Sequence, residues 1–244
     1  MLTAVPESSK MKFLEIKNHF TRMSNEMCAV IESYYIWAAL TFARSIPEVG
    51  EEKANKNAAL MAQHNYFFMP TEQAHLKAFV IGLMKFFDND PNALSIYALI
   101  REVRINKEAL TADVFRSLEP KLAEIGAISD GYSPFDPTIQ SEVKQLRKKH
   151  KDLIKNLEDI RNKQFAHTEM KPIKDTTFVP NEVAALIEGI QDILNKLTSS
   201  FNSSHTLYDH PKNDSTNHVA FLLDNLEKGV AQRKEEHRKM YDLN

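Results

Sequence analysis

Between residues 139 and 160 the apolar positions alternate steps of four and three: Ile139, Val143, Leu146, then His150 in the same register, Leu153, Leu157 and Ile160. An α-helix turns about 100° per residue, so this spacing draws one stripe down a cylinder, and a stripe this long has to be covered by other helices. The pattern predicts a helix over about 137–168 that ends in Arg161, Asn162, Lys163, Gln164, Phe165, Ala166 and His167. With Leu157 at zero, Arg161 falls at about 40°, inside the apolar stripe, and His167 at about 280°, on its edge. A guanidinium turned toward packed side chains is costly unless something anionic meets it. His167 adds a group that moves protons near neutral pH. Two plainer readings stand beside this one: an arginine paired with a neighbouring glutamate, and a histidine that answers the helix dipole.

The rest of the chain also reads as helix. Its 244 residues include only 6 Gly and 10 Pro, which leaves few places for a helix to break. A first helix is expected from Ser8 or Ser9 to about Ile46, stopped by Pro47, with Phe13, Ile16, Phe20, Met23, Met27, Val30, Tyr34 and Trp37 on its inner face. Glu51 to Phe68, ended before Pro70, and Thr71 to Phe87, stopped at Asp88-Asn89-Asp90-Pro91, follow. Asn92 to Lys107 and Ala109 to Ile128 give two more, before a turn cluster at Ser129–Pro137. After the long helix, a polar connection leads to Asn181, which caps a helix through Val183, Leu186, Ile187, Ile190, Ile193, Leu194 and Leu197. The expected fold class is therefore all-α, divided as a domain over 1–200, a Ser/Asn/Asp/His-rich linker over 201–217, and a charged helix over 218–244.

Several function classes fall away. A formal net charge of −2 gives no global case for nucleic-acid binding, so any such binding needs a local patch. Cys28, the single cysteine, excludes an intramolecular disulfide and a cysteine-based metal site, and reads as a small core residue. His64 and His75 lie on separate predicted elements, and His205, His210 and His218 show no ligand spacing, so no metal and no cofactor are expected. No apolar run reaches the roughly 18 residues of a membrane span, and no secretory leader or lipidation signal is seen. The expected location is the cytoplasm.

The arrangement Arg161-Asn162 followed by His167 near the end of a long helix resembles the signature of the HEPN superfamily. The fuller string Ile160-Arg161-Asn162-Lys163-Gln164-Phe165-Ala166-His167 is similar to its AbiU-like abortive-infection branch, as is Leu83-Met84-Lys85-Phe86-Phe87-Asp88 followed by Ala93-Leu94-Ser95-Ile96. The likeness covers about residues 10–198. It implies a HEPN-like helical bundle, here with extra N-terminal helices and an appended C-terminal one. It also implies a composite ribonuclease site at a homodimer interface, a role in phage defence or as a toxin, and an antitoxin or other defence partner. One departure matters: many catalytic relatives place a tyrosine two residues after the histidine, where this chain has Glu169.

The chemistry suits those residues. Cleaving RNA without a metal requires a base for the 2′-OH, a cation for the phosphorane and an acid for the leaving oxygen. His167 fits the proton transfers and Arg161 the phosphate; Asn162, at about 140°, points away from Arg161 and would serve once the helix end distorts. Six helical residues separate the Arg and His Cα atoms by about 9 Å along the axis, so one copy does not easily grip one phosphate with both side chains; a two-fold dimer could bring two motifs to one cleft, the arrangement that the resemblance implies. Lys144, Lys148, Lys151 and Lys155 lie between about 120° and 180°, with Arg147 at the margin, a patch that reads equally as a steering surface for RNA or as a solvated helix face and that Glu158 and Asp159 interrupt; Lys151, Lys155, Lys163 and Lys171 are the expected RNA-binding cations. The leading expectation is a metal-independent endoribonuclease using Arg161, His167 and Asn162. The alternative is a catalytically inactive HEPN-like module that binds nucleotide, RNA or a protein.

Overall fold

The computed structural model describes residues 5–90, 92–126, 128, 131–162 and 178–242, and every regular element in it is helical. The chain is all-α. In order the helices are α1 (Glu7–Phe42), α2 (Ile46–Val49), α3 (Glu51–Gln63), α4 (Asn65–Lys85), α5 (Ile96–Ile105), α6 (Ala112–Leu118), α7 (Pro120–Glu124), α8 (Ile139–Lys149), α9 (Lys151–Ile160), α10 (Pro180–Asn202) and α11 (Asp209–Asp242). They sort into two compact units, one of residues 1–29 with 80–207 and one of residues 30–79 with 208–244.

In the first unit, the stripe read on α1 is the core. Phe13, Ile16, Phe20, Met23 and Met27 are buried at steps of three and four. Phe13 stacks on Phe201 of α10 with ring centroids 4.6 Å apart and meets Phe115 of α6 at 5.4 Å. Each such ring adds about 1.5–3 kcal/mol by leaving water. Ile139 and Val143 of α8 and Leu153, Ile154, Leu157 and Ile160 of α9 are buried, as are Val183, Leu186, Ile190 and Leu194 of α10. Gly189 marks a close crossing of α8 and α10, because a Cβ there would collide with the Leu146 side chain. α5 opens on Ser95, whose Oγ accepts the Ala98 N–H at 3.2 Å.

In the second unit, Leu40, Ala43, Leu60, Met61, Phe68, Val219 and Leu223 form one apolar cluster. Asn57 is buried among them and donates to the Ala43 carbonyl at 2.8 Å. Lys53 bonds Asp224 at 3.1 Å and Lys56 bonds Glu227 at 2.5 Å, tying α3 to α11 at the surface.

The structure differs from the sequence reading at several boundaries. The helix expected over 137–168 breaks at His150 into α8 and α9. Pro70 lies inside α4, and the break falls instead at His64, between α3 and α4. The Thr71 hydroxyl donates to the Phe67 carbonyl at 2.7 Å beside that proline, and Pro70 itself is exposed, so its ring meets no packed neighbour. Pro120 divides the helix expected over Ala109–Ile128 into α6 and α7. The stretch expected as a linker is helical from Asp209 onward. In the following helix Val219 and Leu223 are buried against α1, α3 and α4 residues of their unit, with Leu226 and Val230 packed against the same cluster. Cys28 is half-buried rather than a core residue.

Candidate functional site

α9 separates an apolar face from a polar one: Leu153, Ile154, Leu157 and Ile160 are buried, and Lys151, Asp152 and Lys155 are exposed. Just before it, His150 joins α8 to α9 with φ −108° and ψ 26°, outside the helical region. Only 8% of its surface is exposed, and its Nε2 has no hydrogen-bond partner among the described residues. Burial first, then the charge of Lys149, holds this imidazole below its ordinary 6.5, with Glu182 acting in the opposite direction.

At the far end, the Arg161 N–H donates to the Leu157 and Glu158 carbonyls, and the backbone widens into a π turn at Arg161 and Asn162. Arg161 is half-buried, Asn162 is exposed, and Arg161 Nε donates to Asn162 Oδ1 at 3.0 Å. The expectation that Asn162 points away from Arg161 is corrected by this contact. A π turn holds more residues than an α turn, so consecutive side chains are rotated less and two neighbours can touch. Among the described residues, no carboxylate pairs with Arg161. Among the described residues, then, no anion receives the remaining N–H donors of the guanidinium.

Lys144 and Lys148 on α8 and Lys151 and Lys155 on α9 are all exposed, and among the described residues none has an ion-pair partner. The structure thus brings Arg161 and Asn162 into contact and sets Lys151 and Lys155 on the preceding turns of the same helix. His167, Lys163 and Lys171 lie outside the described residues.

Another polar group was not anticipated. His19 Nδ1 lies 2.7 Å from Glu102 Oε2, Lys12 Nζ lies 2.9 Å from Glu15 and 3.4 Å from Glu102, and Glu15, His19 and Glu102 could together face a cation. Lys12 already supplies a positive charge to both carboxylates, which it holds as ion pairs. Sequence reasoning also passed over α5. Tyr97, Arg101 and Arg104 recur at steps of four and three, a shared face that spacing alone could have shown. Arg101 and Arg104 are exposed, and Arg147 of α8 reaches across to Tyr97, donating from Nη1 to its hydroxyl at 3.3 Å.

No described helix is long and apolar enough to cross a membrane. In comparison with known proteins, the HEPN AbiU2 family matches residues 13–222. No curated protein sequence and no solved structure matches the chain.

Proposed function

The chain belongs to the HEPN AbiU2 family, and from that premise we propose that it is a metal-independent endoribonuclease acting in phage defence or as a toxin. The observation that carries this reading is Arg161: a half-buried guanidinium at the distorted end of α9, bonded to Asn162 and to no carboxylate among the described residues. A charge in a partly buried place with no counter-ion among the described residues is a ready partner for an anion, and the fixed fork of an arginine matches phosphate.

In the proposed reaction His167 takes the 2′-OH proton, the 2′-oxygen attacks phosphorus, and the P–O5′ bond breaks as a proton is returned to the 5′-oxygen, leaving a 2′,3′-cyclic phosphate. Arg161 stabilises the charge that grows on the equatorial oxygens, and Asn162 orients the guanidinium. One copy cannot supply both a base and an acid from a single histidine in the same step, so the site is proposed to be composite, with two motifs meeting across a homodimer axis. Lys151, Lys155, Lys163 and Lys171 bind the strand. An RNA substrate places the activity in the cytoplasm, and a toxic nuclease implies an antitoxin or comparable partner.

The test is incubation of the purified protein with a mixed-sequence RNA in EDTA. The expected result is cleavage with 2′,3′-cyclic phosphate ends and a dimeric mass by light scattering. An RNA left whole by a folded dimer would contradict the nuclease reading. That result would favour the second one, a catalytically silent RNA-binding module, for which Glu169 in place of the tyrosine of many catalytic relatives is the supporting observation.

A further inference from the structure

Sorting the charges of α5 and α8 by what they face separates acids from bases. The acid of α5, Glu102, is turned to Lys12 and His19 of α1, and the acid of α8, Glu142, is bonded by Lys196 of α10 at 2.7 Å. Both acids are engaged by other helices, and the basic residues of the two helices are Arg101 and Arg104 on α5 and Lys144, Arg147, Lys148 and Lys149 on α8. Between the two helices runs an open groove of about 350 Å³, with Arg101 and Arg104 along one wall, Gln140 opposite, and Ile100, Ile105 and Tyr97 supplying apolar surface. The guanidinium carbon of Arg147 sits 6.0 Å from the Tyr97 ring centroid, which ties the aromatic to the α8 wall.

We infer that this groove is a binding track for single-stranded RNA, separate from the reacting phosphate. The inference rests on the ribonuclease reading only for the kind of polymer bound. Cations spaced along a groove suit a phosphate backbone, and an aromatic ring held beside an arginine suits a stacked base, a pairing that tolerates any sequence. A duplex has its bases stacked on each other and offers none to Tyr97, so the track is specific for unpaired strands. Lys144 and Lys148 of α8 and Lys151 and Lys155 of α9, all exposed, follow the groove residue Gln140 in sequence and precede Arg161. This assigns substrate recognition to α5, which contributes nothing to the motif itself.

The test is binding of a fluorescent 2′-O-methyl single-stranded oligonucleotide, which lacks the nucleophilic hydroxyl, so that affinity is read whether or not the protein cuts RNA. Arg101→Gln with Arg104→Gln, both on exposed positions, should weaken binding about tenfold at 0.15 M salt. It should also make the slope of log K against log salt shallower by about 1.4, the share of two phosphate contacts on a single strand. Tyr97→Leu should weaken binding at least fivefold with the salt slope unchanged, while Tyr97→Phe, which keeps the ring, should bind as the wild type does. A folded arginine variant with wild-type affinity and slope overturns the track and leaves the ribonuclease reading standing. So does a wild-type protein that cuts RNA yet does not bind the oligonucleotide. Duplex and single strand bound equally well would overturn the stacking role of Tyr97. Failure of the ribonuclease reading shows separately, as absence of cleavage in EDTA by a protein that binds the oligonucleotide.

Discussion

Two charged regions of the same unit behave in opposite ways. Around α1, Lys12, Glu15, His19 and Glu102 answer one another, with every separation at or below 3.4 Å. Along α8 and α9, Lys144, Lys148, Lys151, Lys155 and finally Arg161 stand in a row with no carboxylate partner among the described residues. Charge density alone does not separate the two. Closure does: a closed cluster has spent its electrostatics on holding helices together, whereas an open row keeps a potential that only a ligand can discharge. The closed cluster is where a metal would be sought by residue type, and the open row is where function is proposed.

The comparison can be pressed hardest from the open side. Replacing Lys144, Lys148, Lys151 and Lys155 by Gln should weaken binding of a single-stranded oligonucleotide about a hundredfold at 0.15 M salt, with a salt slope shallower by about 2.8 and an unchanged melting temperature. Loss of thermal stability in that variant would mean that the lysines hold the fold instead. Next comes His150, buried between α8 and α9 with no partner for Nε2 among the described residues. Its pKa is lowered in the folded state, so the unfolded chain binds more protons; the stability it allows is present above the unfolded value near 6.5 and declines as pH falls through it. Denaturant titrations at pH 7 and 5 should show this decline in the wild type and a smaller one in His150→Leu. An equal decline in both would remove His150 from the account.

The closed side gives smaller effects. Glu102→Gln should destabilise the protein by about 0.2–1 kcal/mol, as partly exposed ion pairs do, and should leave RNA binding untouched. A fall in RNA affinity there would erase the distinction between the two regions. Smallest of all is the expected stability change at Arg161. Because no carboxylate among the described residues pairs with it, Arg161→Met should shift unfolding by no more than about 0.5 kcal/mol, whereas breaking a buried pair would cost about 3–5 kcal/mol. Calorimetry on that variant separates an arginine kept for an anion from one kept for the fold.

The helices themselves were legible because their signals are local. Phe13, Ile16, Phe20, Met23 and Met27 announce the buried face of α1 by spacing alone, and Leu153, Leu157 and Ile160 do so for α9. What escaped were features set by the shape of the turn or by contacts between distant segments. A π turn at Arg161 reverses the inference drawn from a uniform 100° wheel about Asn162, since the wheel assumes the regular geometry that the helix end abandons. The break at His150 is invisible in a spacing that runs through it unchanged. Glu102 and Arg101 are adjacent in sequence, yet only the packed helices show that the acid faces α1 while the base faces α8. The seat of α11 depends on Val219 and Leu223 meeting Leu40 and Phe68, a contact across nearly the whole chain that no local pattern encodes. Of the candidate site, Arg161, Asn162, Lys151 and Lys155 have described geometry; His167, Lys163 and Lys171 rest on the sequence.

The most direct test of the proposed function is therefore made at His167. In EDTA, His167→Ala should lower RNA cleavage by about 10²–10⁴-fold, the usual contribution of a positioned acid–base group. Its melting temperature, dimeric mass and affinity for the 2′-O-methyl strand should match the wild type, because binding is assigned to the cations. Cleavage at the wild-type rate by the purified variant, with contaminating nucleases excluded by a mock preparation, would contradict the assignment of this histidine to proton transfer and with it the proposed ribonuclease site.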